Sequence, residues 1–196
     1  MVKWTFVLLI TCTVIFLLQQ IVDLSGYYFT PSLVLQKPWI FITSMFLHAD
    51  ISHLFFNMFA LFIFGLALEN EIGSKHFLII YFIAGIAGSV GYMITANNPT
   101  IPALGASGAI YGVMGSLSML MPFMMVWAMG MVPLPMIVMA FVWTLMEFLG
   151  IFNPGSGIAH GAHLGGLFIG IVYGLILKIL KKRRQEIEKI RFEESM

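Results

Sequence analysis

The sequence predicts an all-α integral membrane bundle of six transmembrane helices, with a short central fourth helix that starts at a serine. Three observations predict it. Of 196 residues, 60% are apolar and only 10% are Asp, Glu, Lys or Arg, against roughly 25% charged in an ordinary soluble domain. Six stretches, 4–22, 51–68, 77–95, 107–121, 133–150 and 160–180, come close to the ~20 apolar residues that cross a ~30 Å hydrocarbon layer as a helix. Seven of the ten cationic side chains lie in the last nineteen residues, which marks one leaflet-facing end rather than a surface for nucleic acid.

Lys3 and the uncharged run Trp4 to Val22 look at first like a signal peptide. The run is longer than an h-region and no Ala-x-Ala pattern follows, so it is expected to be a retained membrane helix. The single cysteine, Cys12, has no partner for an intramolecular disulfide and fits a small apolar filler. Asp23 to Asp50, rich in Pro and aromatics, is expected to be a loop, and Asp50 or Ser52 is the expected N-cap of span two. Short polar connections follow at Glu69–His76 and at Ala96–Ala106, the latter with Asn97, Asn98, Pro99 and Pro102. An apolar connection around Pro122–Val132 separates spans four and five, and Asn153–Gly157 separates five and six. The fifteen Met and eighteen Phe read as lipid-facing filler or adaptable packing.

Positive-inside bias places Lys178 to Arg184 in the cytoplasm, and an even number of spans puts Lys3 there too. The expected protein is therefore a multi-pass cell-membrane protein with both termini cytoplasmic. Residues 1–180 form its membrane domain and 181–196 a charged cytoplasmic tail. The tail continues span six as a charged helix, with Lys182/Glu186 and Arg184/Glu188 at i, i+4, or is a solvated anchor at the anionic leaflet.

Strongly polar groups inside a span cost several kcal/mol unless paired, which makes them functional candidates. Here they are His53, Asn57, Ser107, Glu147, His160 and His163, and the orientation gathers most of them near the outer helix ends. Pro102 and Gly105 keep the chain non-helical up to Ser107. A helix from Ser107 to Met121 is about 22 Å long, short of the ~30 Å crossing. Ser107 is thus sunk below the outer surface, in a position that only a protein-lined or water-filled pocket tolerates.

Small residues recur every fourth position at Gly108, Gly112 and Ser116 in span four and at Ala162, Gly166, Gly170 and Gly174 in span six. Packing stripe on stripe puts Ser107 beside His163, the minimum that makes a serine hydroxyl a nucleophile. Tyr111, one turn below Ser107, is placed to pack on the imidazole. Donors for an oxyanion are at hand in the backbone where helix four starts, at Ala106 and Ser107, and in His53 and Asn57, four residues apart on one face of span two. The plainer alternatives are a helix-packing serine, a buried His53–Asn57 pair that satisfies loop backbone, and a structural role for His48. A metal site at His160, His163 and His53 lacks a carboxylate or thiolate to complete it, so no metal or other cofactor is expected.

On these residues the chain resembles the rhomboid family of intramembrane serine proteases. The matching segments are Gly105-Ala106-Ser107-Gly108, then Gly161-Ala162-His163-Leu164-Gly165-Gly166 with Gly170, and His48, His53 and Asn57. The resemblance implies peptide-bond hydrolysis in or near membrane spans of single-span or other transmembrane protein substrates. It assigns Ser107 as nucleophile, His163 as general base, and His53, Asn57 and the Ser107 amide as the oxyanion site. Glu69 matches a position the family uses for packing, and Ile40 after Trp39 departs from the Trp-Arg that many relatives carry in the first loop. Rival readings are an inactive relative that binds membrane proteins, which would have lost the serine or the histidine, and a histidine-lined channel, which would show repeated halves.

Glu147 is the only carboxylate within a span other than at its ends, and so the only candidate for the third member of a triad. The resemblance implies a Ser–His dyad and a mobile span five. Glu147 is therefore expected to stay unattached to His163, in a surface or gate-adjacent position, and Glu147→Gln to retain most activity.

Overall fold

The computed structural model describes residues 3–128 and 132–195. Six longer helical segments, or rods, are among them, besides one short helical turn at Ile40–Thr43. The first is α1, Trp4–Gln19. The second is α2, Ile51–Ala60, which runs on through a π-helical turn at Leu61–Gly65 into α3, Leu66–Thr95. Gly73, at φ 78° and ψ 160°, breaks α3 into two arms, since only glycine takes that backbone without strain. Its first arm completes the second rod and its second arm is the third. The last three are α4, Ser107–Leu120, α5, Met136–Gly150, and α6, His160–Glu194. By length and composition Ile51–Thr95 and His160–Glu194 suffice to cross a membrane, while α1, α4 and α5 are shorter apolar helices.

Two expectations about the connections are corrected. Between α4 and α5 the chain forms a hairpin, β1 (Met125–Ala128) against β2 (Val132–Pro135), in antiparallel register Met125↔Pro135. The fold is therefore mostly helical rather than all-α. Pro122, Pro133 and Pro135 forbid a helix here, and a two-stranded ribbon tolerates proline on its free edges. Span five consequently starts at Met136, not at 133. The segment Glu69–His76 is not a free loop either: two helices meet in it, and the non-helical backbone between them is confined to Gly73.

Glu69, fully buried, explains why that reversal is firm. Its carboxylate accepts from the Trp4 and Thr5 backbone N–H groups at 2.9 and 3.0 Å, from the Thr5 hydroxyl at 2.7 Å and from the Ser74 hydroxyl at 2.6 Å. One anion thus caps the start of α1 and the break in α3 together.

At the centre, α4 is buried along nearly its whole length, from Gly108 to Ser118. It packs on α6 through the two small-residue stripes. Gly166 faces the Gly108 backbone, Gly170 faces Gly112, and Gly174 faces Ser116, where a Cβ on Gly174 would lie 2.8 Å from the Ser116 Cα. The constant offset between partners makes the helices parallel. The Ser116 hydroxyl donates to the Gly170 carbonyl at 2.9 Å. The second arm of α3 closes on the same seam, with Gly88 against the Ala162 carbonyl. Beyond the membrane-like core, α6 continues without interruption to Glu194, through the expected boundary at 180.

The loop 23–50 packs on the non-helical segment before α4. Phe29 and Ala103 exchange backbone hydrogen bonds of 3.0 and 2.8 Å, and Gly105 N–H donates to the Ser44 carbonyl at 2.9 Å. Ile40 is fully buried within this loop, so the position after Trp39 is held by apolar packing.

Gly170→Val tests the seam. The new side chain would meet the Gly112 backbone, forcing the helices apart and destabilising the fold by about 3 kcal/mol or more. Thermal unfolding in detergent should show a large drop in Tm, whereas Gly174→Ala, at the wider end, should show a smaller one.

Candidate active site

Ser107 opens α4, and Gly105 sets it there. Gly105 has φ +126°, and a Cβ on it would lie 2.8 Å from the His53 ring, so a side chain is excluded by both backbone and neighbour. The Ser107 hydroxyl lies 2.8 Å from His163 Nε2. His163 is on the first turn of α6, and its ring stacks on Tyr111, with centroids 4.3 Å apart and planes 6° from parallel. The stripe argument thus brings together the serine, histidine and tyrosine that it named.

On α2, Asp50 is the N-cap and accepts the His53 backbone N–H at 2.8 Å and the Ser52 hydroxyl at 2.6 Å. The Ser52 hydroxyl and the His53 N–H hold the Asp50 carboxyl below the usual carboxylate range. His53 Nδ1 faces the Ala49 N–H at 3.4 Å, which leaves Nε2 as the protonated nitrogen. Asn57 is buried; its Nδ2 donates one hydrogen to the His53 carbonyl at 2.8 Å and keeps a second. His48 packs edge-on against His53 at 5.2 Å. Its backbone is clamped by Gln19, whose Oε1 accepts from the His48 N–H at 3.0 Å and whose Nε2 donates to the His48 carbonyl at 3.1 Å. The Gln19 amide therefore ties the loop that precedes α2 to α1.

His53, Asn57, Ser107, Tyr111, Trp143 and His163 line one cavity of about 700 Å³. Exposed residues of the two flanking loops, including Asn97, Asn98 and Ile158, form its outer wall. Ser107 and His163 thus share one cavity wall with the His53 and Asn57 side chains, the residue types that acyl transfer uses.

Glu147 lies at the same end of the bundle as His163, as expected, but it does not stand apart from it. It is buried, its Oε1 lies 3.0 Å from His163 Nδ1 and its Oε2 2.5 Å from His160 Nδ1, and Oε1 also accepts the Tyr111 hydroxyl at 2.5 Å. The expected surface position, unattached to His163, is thereby corrected. His163 Nδ1 is buried without an aligned hydrogen-bond acceptor, so its contact with Glu147 is a close charge approach rather than a straight hydrogen bond. His160 Nε2 in turn lies 3.0 Å from the Ser156 hydroxyl. The one signal in sequence was a lone carboxylate at the same end of the bundle as two histidines three residues apart.

Glu147 also supplies the carboxylate that seemed missing from a metal set, since Glu147, His160 and His163 present ligand atoms within 4.8 Å of one another. His53 is not among them. Tetrahedral zinc ligands sit roughly 3.3 Å apart, whereas Glu147 and His160 are 2.5 Å apart, closer than two ligands of one zinc ion and within hydrogen-bond reach. The arrangement fits a hydrogen-bonded bridge better than a metal.

The rhomboid domain model matches residues 35–179, which takes in His48, His53, Asn57, Ser107, Tyr111, Glu147, His160 and His163. The chain belongs to the rhomboid family. It is 35% identical over 147 residues to RHOMBOID-like protein 6, mitochondrial, of Arabidopsis thaliana, a match covering 72% of this chain and 44% of that protein. It is 33% identical over 169 residues to Rhomboid protein 1, mitochondrial, of Saccharomyces cerevisiae, covering 78% and 47%. A shorter segment of 79 residues is 44% identical to Rhomboid protease GluP of Bacillus subtilis, covering 40% of this chain and 15% of that protein. The chain thus spans about half the length, or less, of these relatives.

Asn57→Ala should lower kcat by about 10- to 1000-fold, the range one lost oxyanion donor produces, with KM barely changed. Steady-state cleavage of a single-span substrate in detergent measures it. A loss confined to KM would make Asn57 a binding or packing residue.

Proposed function

We propose that this chain is an intramembrane serine protease that hydrolyses peptide bonds in or near the spans of transmembrane protein substrates. The observation that carries the reading is the 2.8 Å approach of Ser107 Oγ to His163 Nε2 inside a cavity whose wall also presents His53 and Asn57.

Ser107 Oγ attacks the scissile carbonyl carbon while His163 Nε2 takes the hydroxyl proton. The carbonyl electron pair becomes an oxyanion, held by the Ser107 amide, the free Asn57 hydrogen and His53 Nε2. Collapse of the tetrahedral intermediate expels the amine, which receives the proton from His163. Water, activated by the same imidazole, then cleaves the acyl-enzyme ester. No step in this scheme uses a metal or cofactor.

The six rods are read as six membrane spans. The short α4, 14 residues long and hence about 21 Å, keeps Ser107 below the surface of a ~30 Å core. The cationic cluster Lys178–Arg184 favours cytoplasmic termini in a multi-pass cell-membrane protein, with 1–180 as the membrane domain and 181–196 as a charged helical tail. Its i, i+4 ion pairs, Arg184–Glu188 at 3.1 Å among them, are solvent-exposed and support helix propagation only weakly.

Ser107→Ala and His163→Ala should each abolish cleavage of a single-span substrate while leaving the unfolding transition in place. Near wild-type turnover in either would remove that residue from the chemistry. A reporter fused after Met196 should be active only when cytoplasmic, and one within 23–50 only when outside; the reverse pattern would invert the topology.

A further inference from the structure

We infer that Glu147 is a positioning residue for His163, making the site a Ser107–His163–Glu147 triad whose carboxylate is itself held by Tyr111 and His160. The inference rests on the protease reading above and adds to it the group that orients and charge-stabilises the base.

The proton positions follow from the contacts. If Ser107 donates to His163 Nε2, the imidazole proton sits on Nδ1, the nitrogen 3.0 Å from Glu147 Oε1. On the far side, the Ile158 N–H donates to Ser156 Oγ at 3.2 Å. The Ser156 hydroxyl is then free to donate to His160 Nε2 at 3.0 Å, leaving His160 Nδ1–H to donate to Glu147 Oε2. Tyr111 O–H donates to Oε1. All three groups around Glu147 are therefore donors, and the role left to Glu147 is that of an ionised acceptor. A buried carboxylate set opposite the second nitrogen of a base is the arrangement that selects the tautomer and stabilises the imidazolium in soluble serine proteases.

Each holding contact comes from a different element. Glu147 is on α5, Tyr111 on α4, and His160 on α6 together with His163. Tyr111 acts twice, stacking on His163 and donating to Glu147, so that one side chain fixes both the plane of the imidazole and the oxygen it faces. The off-axis approach of Nδ1 to Oε1 means that the charge is in place before the proton moves. Tyr111, His160 and, across the cavity, His53 are the other ionisable groups near His163, with Asp50 beside His53. The second arm of α3 presents Gly88, Gly91 and Thr95 here, none of which titrates. Glu147 is the carboxylate in contact with the base.

The test is steady-state cleavage of a single-span substrate as a function of pH for wild type, Glu147→Gln, Glu147→Asp and Ser107→Ala, with unfolding transitions recorded for each. Glu147→Gln keeps size but presents an amide to Nδ1. It should lower kcat by about 100-fold or more, towards the ~10⁴-fold that the same change costs a soluble triad, leave KM within about threefold, and move the acid limb of kcat/KM to lower pH. Glu147→Asp keeps the charge at longer range and should recover part of kcat and return the acid limb towards wild type. A folded Glu147→Gln with kcat within about threefold of wild type and an unmoved pH profile overturns the inference. Loss of the unfolding transition in both variants also overturns it, by assigning Glu147 to support of the fold. Activity persisting in Ser107→Ala rejects the protease reading itself, a result separate from any outcome at Glu147.

Discussion

The backbone-to-backbone contact between α4 and α6 is the constraint on which the rest depends. Lipid offers no hydrophobic gain for bringing two helices together, so close approach must come from removing side chains and from hydrogen bonds across the seam. Gly108, Gly112 and Ser116 against Gly166, Gly170 and Gly174 remove the side chains, and the Ser116 hydroxyl on the Gly170 carbonyl supplies a bond. Because the helices are parallel and in register, the first turn of one meets the first turn of the other. Ser107 and His163 are brought to 2.8 Å as a consequence of that register. A wider seam would leave a serine and a histidine in the same cavity without contact.

Around this seam two buried carboxylates gather the polar contacts, while the His48 ring nitrogens and the Tyr81 hydroxyl are buried without a partner. At the α1 end, Glu69 collects four donors and joins the start of α1 to the break at Gly73. At the cavity end, Glu147 collects Tyr111, His160 and the close approach of His163. Both are carboxylates buried among donors, the condition under which a charge is tolerable away from water. Their surroundings differ in consequence. Glu69 touches backbone and hydroxyl groups alone and serves the fold, whereas Glu147 touches an imidazole that in turn touches the serine.

Much of this was legible in the sequence where a single strong regularity governs it. Four-residue spacing of small side chains predicted which faces of α4 and α6 meet, and hence the pairing of Ser107 with His163 and the stacking of Tyr111. Proline and glycine before Ser107 predicted where α4 starts. The hairpin Met125–Pro135 was not legible because in an apolar chain both faces of a strand are apolar and the alternation that marks a strand disappears. The continuity of helix through Glu69 was hidden by its charge, which reads as loop until the capping of α1 is known. The place of Glu147 depended on the rotation of α5 about its own axis. That rotation is set by contacts with Tyr111 and His160, on two other helices, and no periodicity within α5 encodes it. The family pattern of a dyad pointed away from the contact that the geometry contains.

The central claim is that Ser107 is a nucleophile activated by His163 in a cavity open to small molecules. A serine-directed fluorophosphonate, reacted with the folded protein in detergent and mapped by mass spectrometry, tests it most directly. The account predicts one modified residue, Ser107, with labelling lost in His163→Ala and on heat unfolding. No modification of Ser107 in the folded protein, or labelling that persists without His163, would contradict it.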